Sequence, residues 1–243
     1  MLKLQPRAGV ELRIAIEPPT GGAPAQAWAL LFAGGTGNLQ LSDSGQPNQN
    51  IALNFLIRSR DYLRARGIGV VMVDKASDAD PHPLRFRFTD EHVVDVGAAV
   101  ETIRQRFGKP VWLIGTSNGS ISVALVTTRL GPKQRPDGIV LTSSAVLWRG
   151  GRYTSLFDYP LSSFSGPLLV VAHQSDGCEG SPASTAPRLL AAYSTAQPKK
   201  LVMMSGGEPA RSGPCDAMSA HGYLGIEDKT MAAIAEFMLR PAK

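Results

Sequence analysis

Short runs of wholly apolar residues alternate along this chain with longer amphipathic segments. The runs lie at 27–33, 68–73, 110–114, 139–142, 168–172 and 201–204, and an amphipathic strand is predicted at 11–16. Strands that are apolar throughout must be covered on both faces. The pattern therefore predicts an α/β fold with a mostly parallel central sheet and helices on both faces.

The amphipathic segments carry the start and stop signals of helices. Thr89 is the predicted N-cap of a helix to Phe107, because acidic residues follow it in the first turn. Further helices are predicted at 50–66, 120–130, 183–193 and 227–239, and the first of these places Phe55, Leu56, Tyr62 and Leu63 on one side. The chain has 243 residues, 43% of them hydrophobic, and no linker divides it. A single domain over 1–243 is predicted.

The net charge of +5 raises the question of a polyanionic partner. The densest basic group is interrupted by Asp61, which favours a solvated helix face over a nucleic-acid site; it consists of Arg58, Arg60, Arg64 and Arg66. No apolar run approaches the length of a membrane span, and the first residues lack the apolar stretch of a signal peptide. We predict no nucleic-acid partner and no membrane span, and the oligomeric state stays open.

One five-residue segment points to chemistry. Gly115-Thr116-Ser117-Asn118-Gly119 fits the pattern GxSxG between a predicted buried strand and a predicted helix. Glycine is needed on both sides of such a serine, because a side chain there would collide with neighbouring backbone. An ordinary Gly/Ser turn is the alternative. The strand and helix on either side favour Ser117 as a nucleophile.

A serine hydroxyl is a weak nucleophile, so it needs a base within hydrogen-bond reach and an acid that orients this base. The chain has four histidines. His82 and His92 precede the serine, and His173 ends a predicted strand, where it is expected to be packed or hydrogen-bonded. His221 lies in a loop of small residues between the last strand and the last helix, and we predict that it is the base.

The orienting acid is expected after the strand that precedes the base. Asp176 stands just past the apolar run at 168–172 and is the predicted acid. A plain turn aspartate before Gly177 is the alternative, since Asp-Gly is a turn signal. Glu179 and Asp216 are reserve candidates for the acid.

The order Ser117, Asp176, His221, each after a successive buried strand, resembles the α/β-hydrolase superfamily over nearly the whole chain. The Asp-Gly-Cys and His-Gly-Tyr loops are similar, more loosely, to its dienelactone-hydrolase-like and small esterase branches. Those relatives often carry a histidine and glycine where this chain has Ala33-Gly34-Gly35-Thr36. The resemblance implies an oxyanion hole, with one backbone donor at Asn118 and the other at Gly35 or Thr36.

Two cysteines stand near the predicted acid and base. Cys178 is two positions after Asp176, and Cys215 is six positions before His221. A disulfide between them would tie the acid loop to the base loop and contribute roughly 3 to 4 kcal/mol. Two free buried thiols are the alternative. A bridge favours the periplasm or secretion, and free thiols favour the cytoplasm.

The segment between 142 and 168 is too short for a separate lid domain. Its aromatic residues are expected to wall an open site for an accessible ester; they are Trp148, Tyr153, Phe157, Tyr159 and Phe164. Arg85 and Arg87 either face an acidic substrate group or, as we favour, form structural ion pairs.

We predict hydrolysis of a small-molecule carboxylic ester through an acyl-serine intermediate, with no cofactor and no metal site. An amidase, a peptidase or an acyl transferase would use the same three residues. A binding protein that has lost turnover is a second class, although such a protein usually loses one of the three. A nucleotide-dependent oxidoreductase is a third class, and the loop at 34–37 lacks the GxGxxG pattern that it needs.

Overall fold

The computed structural model describes residues 1–150 and 152–240. Within them the strands are β1 (Leu2–Arg7), β2 (Val10–Glu17), β3 (Ala27–Phe32), β4 (Ile68–Ala76), β5 (Val111–Thr116), β6 (Gly138–Thr142), β7 (Leu147–Gly150), β8 (Arg152–Ser155), β9 (Leu168–His173) and β10 (Lys199–Met204). The α-helices are α1 (Gln49–Ala52), α2 (Phe55–Arg58), α3 (Arg60–Arg64), α4 (Pro83–Phe86), α5 (Asp90–Phe107), α6 (Asn118–Thr127), α7 (Ala186–Ala192) and α8 (Glu227–Met238).

Eight of the described strands form one sheet in the order β1-β2-β4-β3-β5-β6-β9-β10. The pairs β1-β2 and β2-β4 are antiparallel, and the pairs from β4 to β10 are parallel. The carboxyl ends of β3, β5, β6, β9 and β10 therefore meet at one edge of the sheet, which is where ligands bind in such folds.

Apolar side chains of β3 alternate between two cores, one on each face of the sheet. Trp28, Leu30 and Phe32 pack with residues of α5, α6 and α7. Ala29 and Leu31 pack on the other face with residues of α2, α3 and α8. The predicted fold class, a mostly parallel sheet with helices on both faces, is confirmed.

The predicted strands and the long helix α5 agree with the structure to within a few residues. Thr89 caps α5 as predicted, since its side chain accepts a hydrogen bond from His92 N. The first strand, β1, was not predicted. It is an edge strand of six residues, all of them half-buried or exposed, so it lacks the apolar run that marks the inner strands.

The predicted helix at 50–66 is wrong, because this segment forms three short helices, α1, α2 and α3. Asn54 breaks it with an extended ψ of 138° and caps α2, its side chain accepting a hydrogen bond from Leu56 N. Leu53, before the break, is 54% exposed, and Tyr62, predicted on the buried side, is 41% exposed. A side chain that accepts a hydrogen bond from a nearby backbone N–H takes the place of the helical bond of that N–H, which favours a break in the helix.

The described part of the segment between β6 and β9 holds the antiparallel hairpin β7-β8 and short 3₁₀ turns, and it contains no lid domain. The expected aromatic wall is wrong for the three aromatic residues that follow β8. Phe164 is fully buried in the core, while Phe157 and Tyr159 pack against that same core. The side chains of Trp148 and Tyr153 lie outside the described part of the chain.

The basic group at 58–66 forms ion pairs rather than a free positive patch. Arg58 pairs with Glu227, Arg60 and Arg64 with Glu17, and Arg66 with Asp228. These pairs fasten the broken helical segment to β2 and α8. Among the described residues, no helix combines the length and the apolar character that crossing a membrane requires.

Candidate active site

Ser117 stands in a sharp turn between β5 and α6. Its φ of 50° lies in the left-handed region, which is uncommon for a residue other than glycine. A Cβ at Gly115 would lie 2.4 Å from Gly119 O, and one at Gly119 would lie 1.9 Å from Phe32 O. The predicted collision of flanking side chains with backbone is therefore confirmed.

Asp176 and His221 come together after the ends of β9 and β10. His221 Nδ1 lies 2.8 Å from Asp176 Oδ2, and the two side chains are 5% and 1% exposed. The other oxygen, Asp176 Oδ1, accepts the backbone N–H of Cys178 at 2.9 Å. Because a carboxylate oxygen accepts, we infer that Nδ1 carries the ring proton and that Nε2 has a free lone pair.

The second ring nitrogen of His221 is buried, and no described residue forms a hydrogen bond with it. A buried polar atom without a partner is uncommon and calls for an explanation. His221 and Ser117 line the same cavity, whose volume is about 170 Å³. His221, with its unpartnered Nε2, therefore lines the same cavity as the half-buried Ser117.

Two residues that the sequence analysis did not single out hold the His221 loop. Ser143 Oγ donates to the backbone carbonyl of His221 at 2.8 Å. Tyr223 OH accepts from Ser143 N and donates to Val171 O, each at 3.0 Å. Burial raises the pKa of Tyr223 above its ordinary value, so the hydroxyl stays a donor. The Tyr in the quoted His-Gly-Tyr segment was the one available signal.

A disulfide joins Cys178 to Cys215. Cys178 is buried directly after the Asp176 turn, and Cys215 lines the cavity. The bridge therefore connects the loop that carries Asp176 to the loop that carries His221.

The predicted oxyanion residues separate into two groups. Gly35 lines the cavity of Ser117, and Asn118 is the first residue of α6, with its side-chain Nδ2 donating to Gly35 O at 3.2 Å. Thr36 instead lines a neighbouring small cavity together with Gly37 and Arg87.

Arg87 lies directly behind this loop, and the expected ion pair is wrong for it. The side chain is buried and donates to Ala33 O at 2.9 Å and to Ser122 Oγ at 2.5 Å. Among the described residues no ion pair involves Arg87, and burial alone accounts for its electrostatic environment. Burial lowers the pKa of Arg87 to about 10. Arg85 is exposed, and neither arginine lines the cavity of Ser117.

The outer wall of the cavity comes from the broken helical segment and from the loop before His221. It contains Asn50, Ile51, Leu53, Asn54, Phe55, Asp216 and Ala217.

Neither reserve candidate for the acid contacts His221 through a hydrogen bond. Asp216 Oδ2 accepts from Gly213 N, and Glu179 is exposed. A larger cleft of about 380 Å³ near Asp74 contains neither Ser117 nor His221.

The sheet order, the helices on both faces and the turn at Ser117 define the α/β-hydrolase fold. Solved structures that share it include the following three. Est1E from Butyrivibrio proteoclasticus, solved with ferulic acid bound, has a TM-score of 0.67 and 16% identity, with 98% of each chain covered. XC6422 from Xanthomonas campestris, a serine hydrolase without a lid, has a TM-score of 0.62 and 16% identity over 100% of this chain and 95% of that one.

The third is the Pyrococcus furiosus esterase Pf2001, with a TM-score of 0.65 and 12% identity over 98% of this chain and 90% of that one. At these identities the comparisons establish the fold alone. No protein-family model matches the sequence, and no curated protein matches it either.

Proposed function

We propose that this protein is a serine hydrolase that cleaves carboxylic esters, and that the chain forms a single domain over 1–243. Ser117 attacks the ester carbonyl, and His221 Nε2 takes the proton of the serine hydroxyl. Asp176 holds the imidazole in the tautomer that leaves Nε2 free and stabilises the imidazolium that forms. His221 then takes a proton from water, which attacks the acyl-serine and releases the carboxylic acid product.

One observation carries this proposal. A buried histidine has one nitrogen on a carboxylate and the other unpartnered, at a cavity shared with a serine in a strained turn. His92 Nε2 is also buried without a partner, so the carboxylate on Nδ1 and the cavity shared with Ser117 are what distinguish His221. The free Nε2 can accept the proton of the serine hydroxyl and, in the second step, a proton of the attacking water.

The oxyanion that forms needs donors that are already in position. We assign these to the backbone N–H groups of Asn118 and Gly35, since Asn118 follows the nucleophile and Gly35 lines the same cavity. Thr36, the other predicted donor, is less well supported because it lines the neighbouring cavity.

The cavity of about 170 Å³ suits a short acyl group, and its open outer wall admits an alcohol part of variable size. The esterase from Pyrococcus furiosus and Est1E with its bound ferulic acid make ester chemistry the first choice for a screen. An amidase, a peptidase or an acyl transferase would need the same groups, so amides and thioesters belong in the same screen.

The test is labelling with a fluorophosphonate probe, followed by mass mapping of the modified residue. We expect labelling at Ser117, and loss of both the labelling and the turnover of p-nitrophenyl acetate in Ser117→Ala. Ser44→Ala is the control, because Ser44 is an exposed serine that does not line the cavity of Ser117. A folded wild type that does not label would contradict the proposal and favour a binding protein.

We further propose that the protein works in an oxidising compartment, such as the periplasm or the extracellular space. The disulfide supports this, since reducing compartments keep most protein thiols free. Thiol titration of the protein isolated from its native source, with and without denaturant, tests this. Two titratable thiols would contradict it.

A further inference from the structure

Asn54 lies at the break between α1 and α2, on the outer wall of the cavity that holds Ser117. The helical pattern of the sequence predicted an unbroken helix here, so the residue had no role in the sequence analysis. Its side chain carries one acceptor and two donor hydrogens, and their orientation decides what the residue can do.

The cap of α2 fixes that orientation. Asn54 Oδ1 accepts the backbone N–H of Leu56 at 3.2 Å, as an N-cap side chain does. The other side-chain atom, Nδ2, must then point away from the helix. Among the described residues Nδ2 has no acceptor, so two donor hydrogens are available at the cavity.

The surroundings of Gly34 show that Asn54 Nδ2 lies close to Ser117. A Cβ built on Gly34 would lie 3.4 Å from Asn54 Nδ2 and 3.0 Å from Ser117 Cβ. Gly34 has no side chain, so the Asn54 amide and Ser117 both border the small space that a side chain would occupy there. Gly35, the proposed backbone donor, is the next residue and lines the same cavity.

We propose that Asn54 is a third donor of the oxyanion hole, whose Nδ2 donates to the carbonyl oxygen of the substrate as that oxygen becomes negative. This inference rests on the proposed function. Ser117 Oγ bonds to the carbonyl carbon, its proton passes to His221 Nε2, and the π electron pair moves onto the oxygen. When the pair returns, the bond to the alkoxy oxygen breaks, and His221 gives its proton to the departing alcohol.

A donor that acts on the developing charge stabilises the transition state more than the bound ester. Asn54→Ser keeps a capping oxygen and removes the amide, and Asn54→Asp keeps Oδ1 and replaces the donor by an acceptor. Asn48 offers matched controls, because it caps α1 in the same way through Asn50 N and does not line the cavity.

The experiment measures kcat and KM for p-nitrophenyl acetate in Asn54→Ser, Asn54→Asp, Asn48→Ser and Asn48→Asp, with urea unfolding of each. We expect Asn54→Ser to lower kcat by roughly 10²-fold with KM changed by less than about threefold, and Asn54→Asp to lower kcat further. The rate of phosphonylation at Ser117 falls in parallel. The Asn48 variants keep the wild-type kcat, and their unfolding midpoints match those of the Asn54 variants.

A kcat in both Asn54 variants equal to that in the Asn48 variants would overturn the inference, as would a raised KM with kcat unchanged. If Asn54→Ser unfolds, Asn54→Thr decides, because it also keeps a capping oxygen, lacks the amide and adds no charge. If the wild type is labelled at Ser117 and hydrolyses the ester, and the Asn54 variants have the same kcat, this inference alone is removed. A wild type that neither labels nor turns over removes the proposed function and this inference with it.

Discussion

At the scale of single residues, the site depends on polar side chains in which one atom is already hydrogen-bonded to the backbone. The other atom is then free to act in the site. Asp176 Oδ1 is occupied by Cys178 N, which leaves Oδ2 for His221 Nδ1. Asn54 Oδ1 is occupied by Leu56 N, which leaves Nδ2 for the cavity. In each case a backbone N–H close in sequence selects the atom that remains for chemistry.

Asp176→Asn should lower kcat by roughly 10³- to 10⁴-fold, because an amide that donates to Nδ1 stabilises the wrong tautomer of His221. KM should change little. Asp216→Asn is the matched control, since Asp216 lines the same cavity without contacting the histidine. Equal kcat values in the two variants would contradict the assignment of Asp176.

His92 should make the fold sensitive to acid. Burial first, and then the positive charges of Arg87 and Arg7, lower the pKa of His92 to about 3. Below about pH 6.5 the unfolded chain takes up a proton that the folded protein does not. The neutral His92 therefore costs no stability above that pH. As the pH falls below it, the free energy of unfolding decreases by up to about 1.4 kcal/mol per pH unit.

His92→Phe should therefore reduce the loss of stability between pH 7 and pH 4.5 by roughly 2 to 3 kcal/mol. The ring contacts of His92 with Phe32 and Phe86 make an aromatic replacement the closest in shape. Urea unfolding at the two pH values measures the difference, and His82→Gln at an exposed histidine is the control. Parallel pH profiles of wild type and His92→Phe would show that another group dominates.

At the scale of elements, α5 begins where its sequence predicts, and its cap is a local interaction. Thr89→Ala should destabilise the protein by about 1 kcal/mol, because His92 N loses its acceptor. Thr102→Ala in the same helix should be neutral or slightly stabilising, since the Thr102 hydroxyl only returns to Ala98 O. The comparison is made by urea unfolding at pH 7, and equal losses in the two variants would contradict a capping role.

The three helices between 49 and 64 show the opposite case, in which local periodicity fails. Apolar residues at 55, 56, 57 and 63 are buried in one core, so the burial that a helix predicts is largely achieved. Asn54 and Ser59 interrupt the backbone all the same. The interruption makes Asn54 the N-cap of α2 and places it on the outer wall of the cavity. In a continuous helix Asn54 would not be a cap.

At the scale of the whole molecule, the disulfide connects two loops that are distant in sequence. The cysteines are 37 positions apart, and the bridge limits how far the loops of Asp176 and His221 can separate. The double variant Cys178→Ser, Cys215→Ser should lose roughly 3 to 4 kcal/mol of stability. We expect its kcat to fall as well, because the loops of Asp176 and His221 are no longer tied.

Reductant provides the control for this prediction. It should lower the unfolding midpoint and the activity of the wild type and leave the double variant unchanged. Wild-type activity that survives complete reduction, confirmed by thiol titration, would mean that the bridge stabilises the fold without positioning the site.

Much of this protein follows from the sequence alone. The apolar runs determined the parallel strands, and the Gly-x-Ser-x-Gly turn between strand and helix determined the place of Ser117. The chain order then pointed to Asp176 and His221. These features are local, since each depends on the burial pattern or the backbone sterics of a few neighbouring residues.

Only the tertiary structure decided the rest, because it depends on contacts between residues far apart in the chain. Ser143 supports the carbonyl of His221 from 78 positions away, and Arg87 reaches Ala33 across 54. Asn54 approaches Ser117 because the helix breaks and β3 and β5 end side by side. Sequence patterns predict which face of an element is buried, whereas packing in three dimensions determines which atoms meet there.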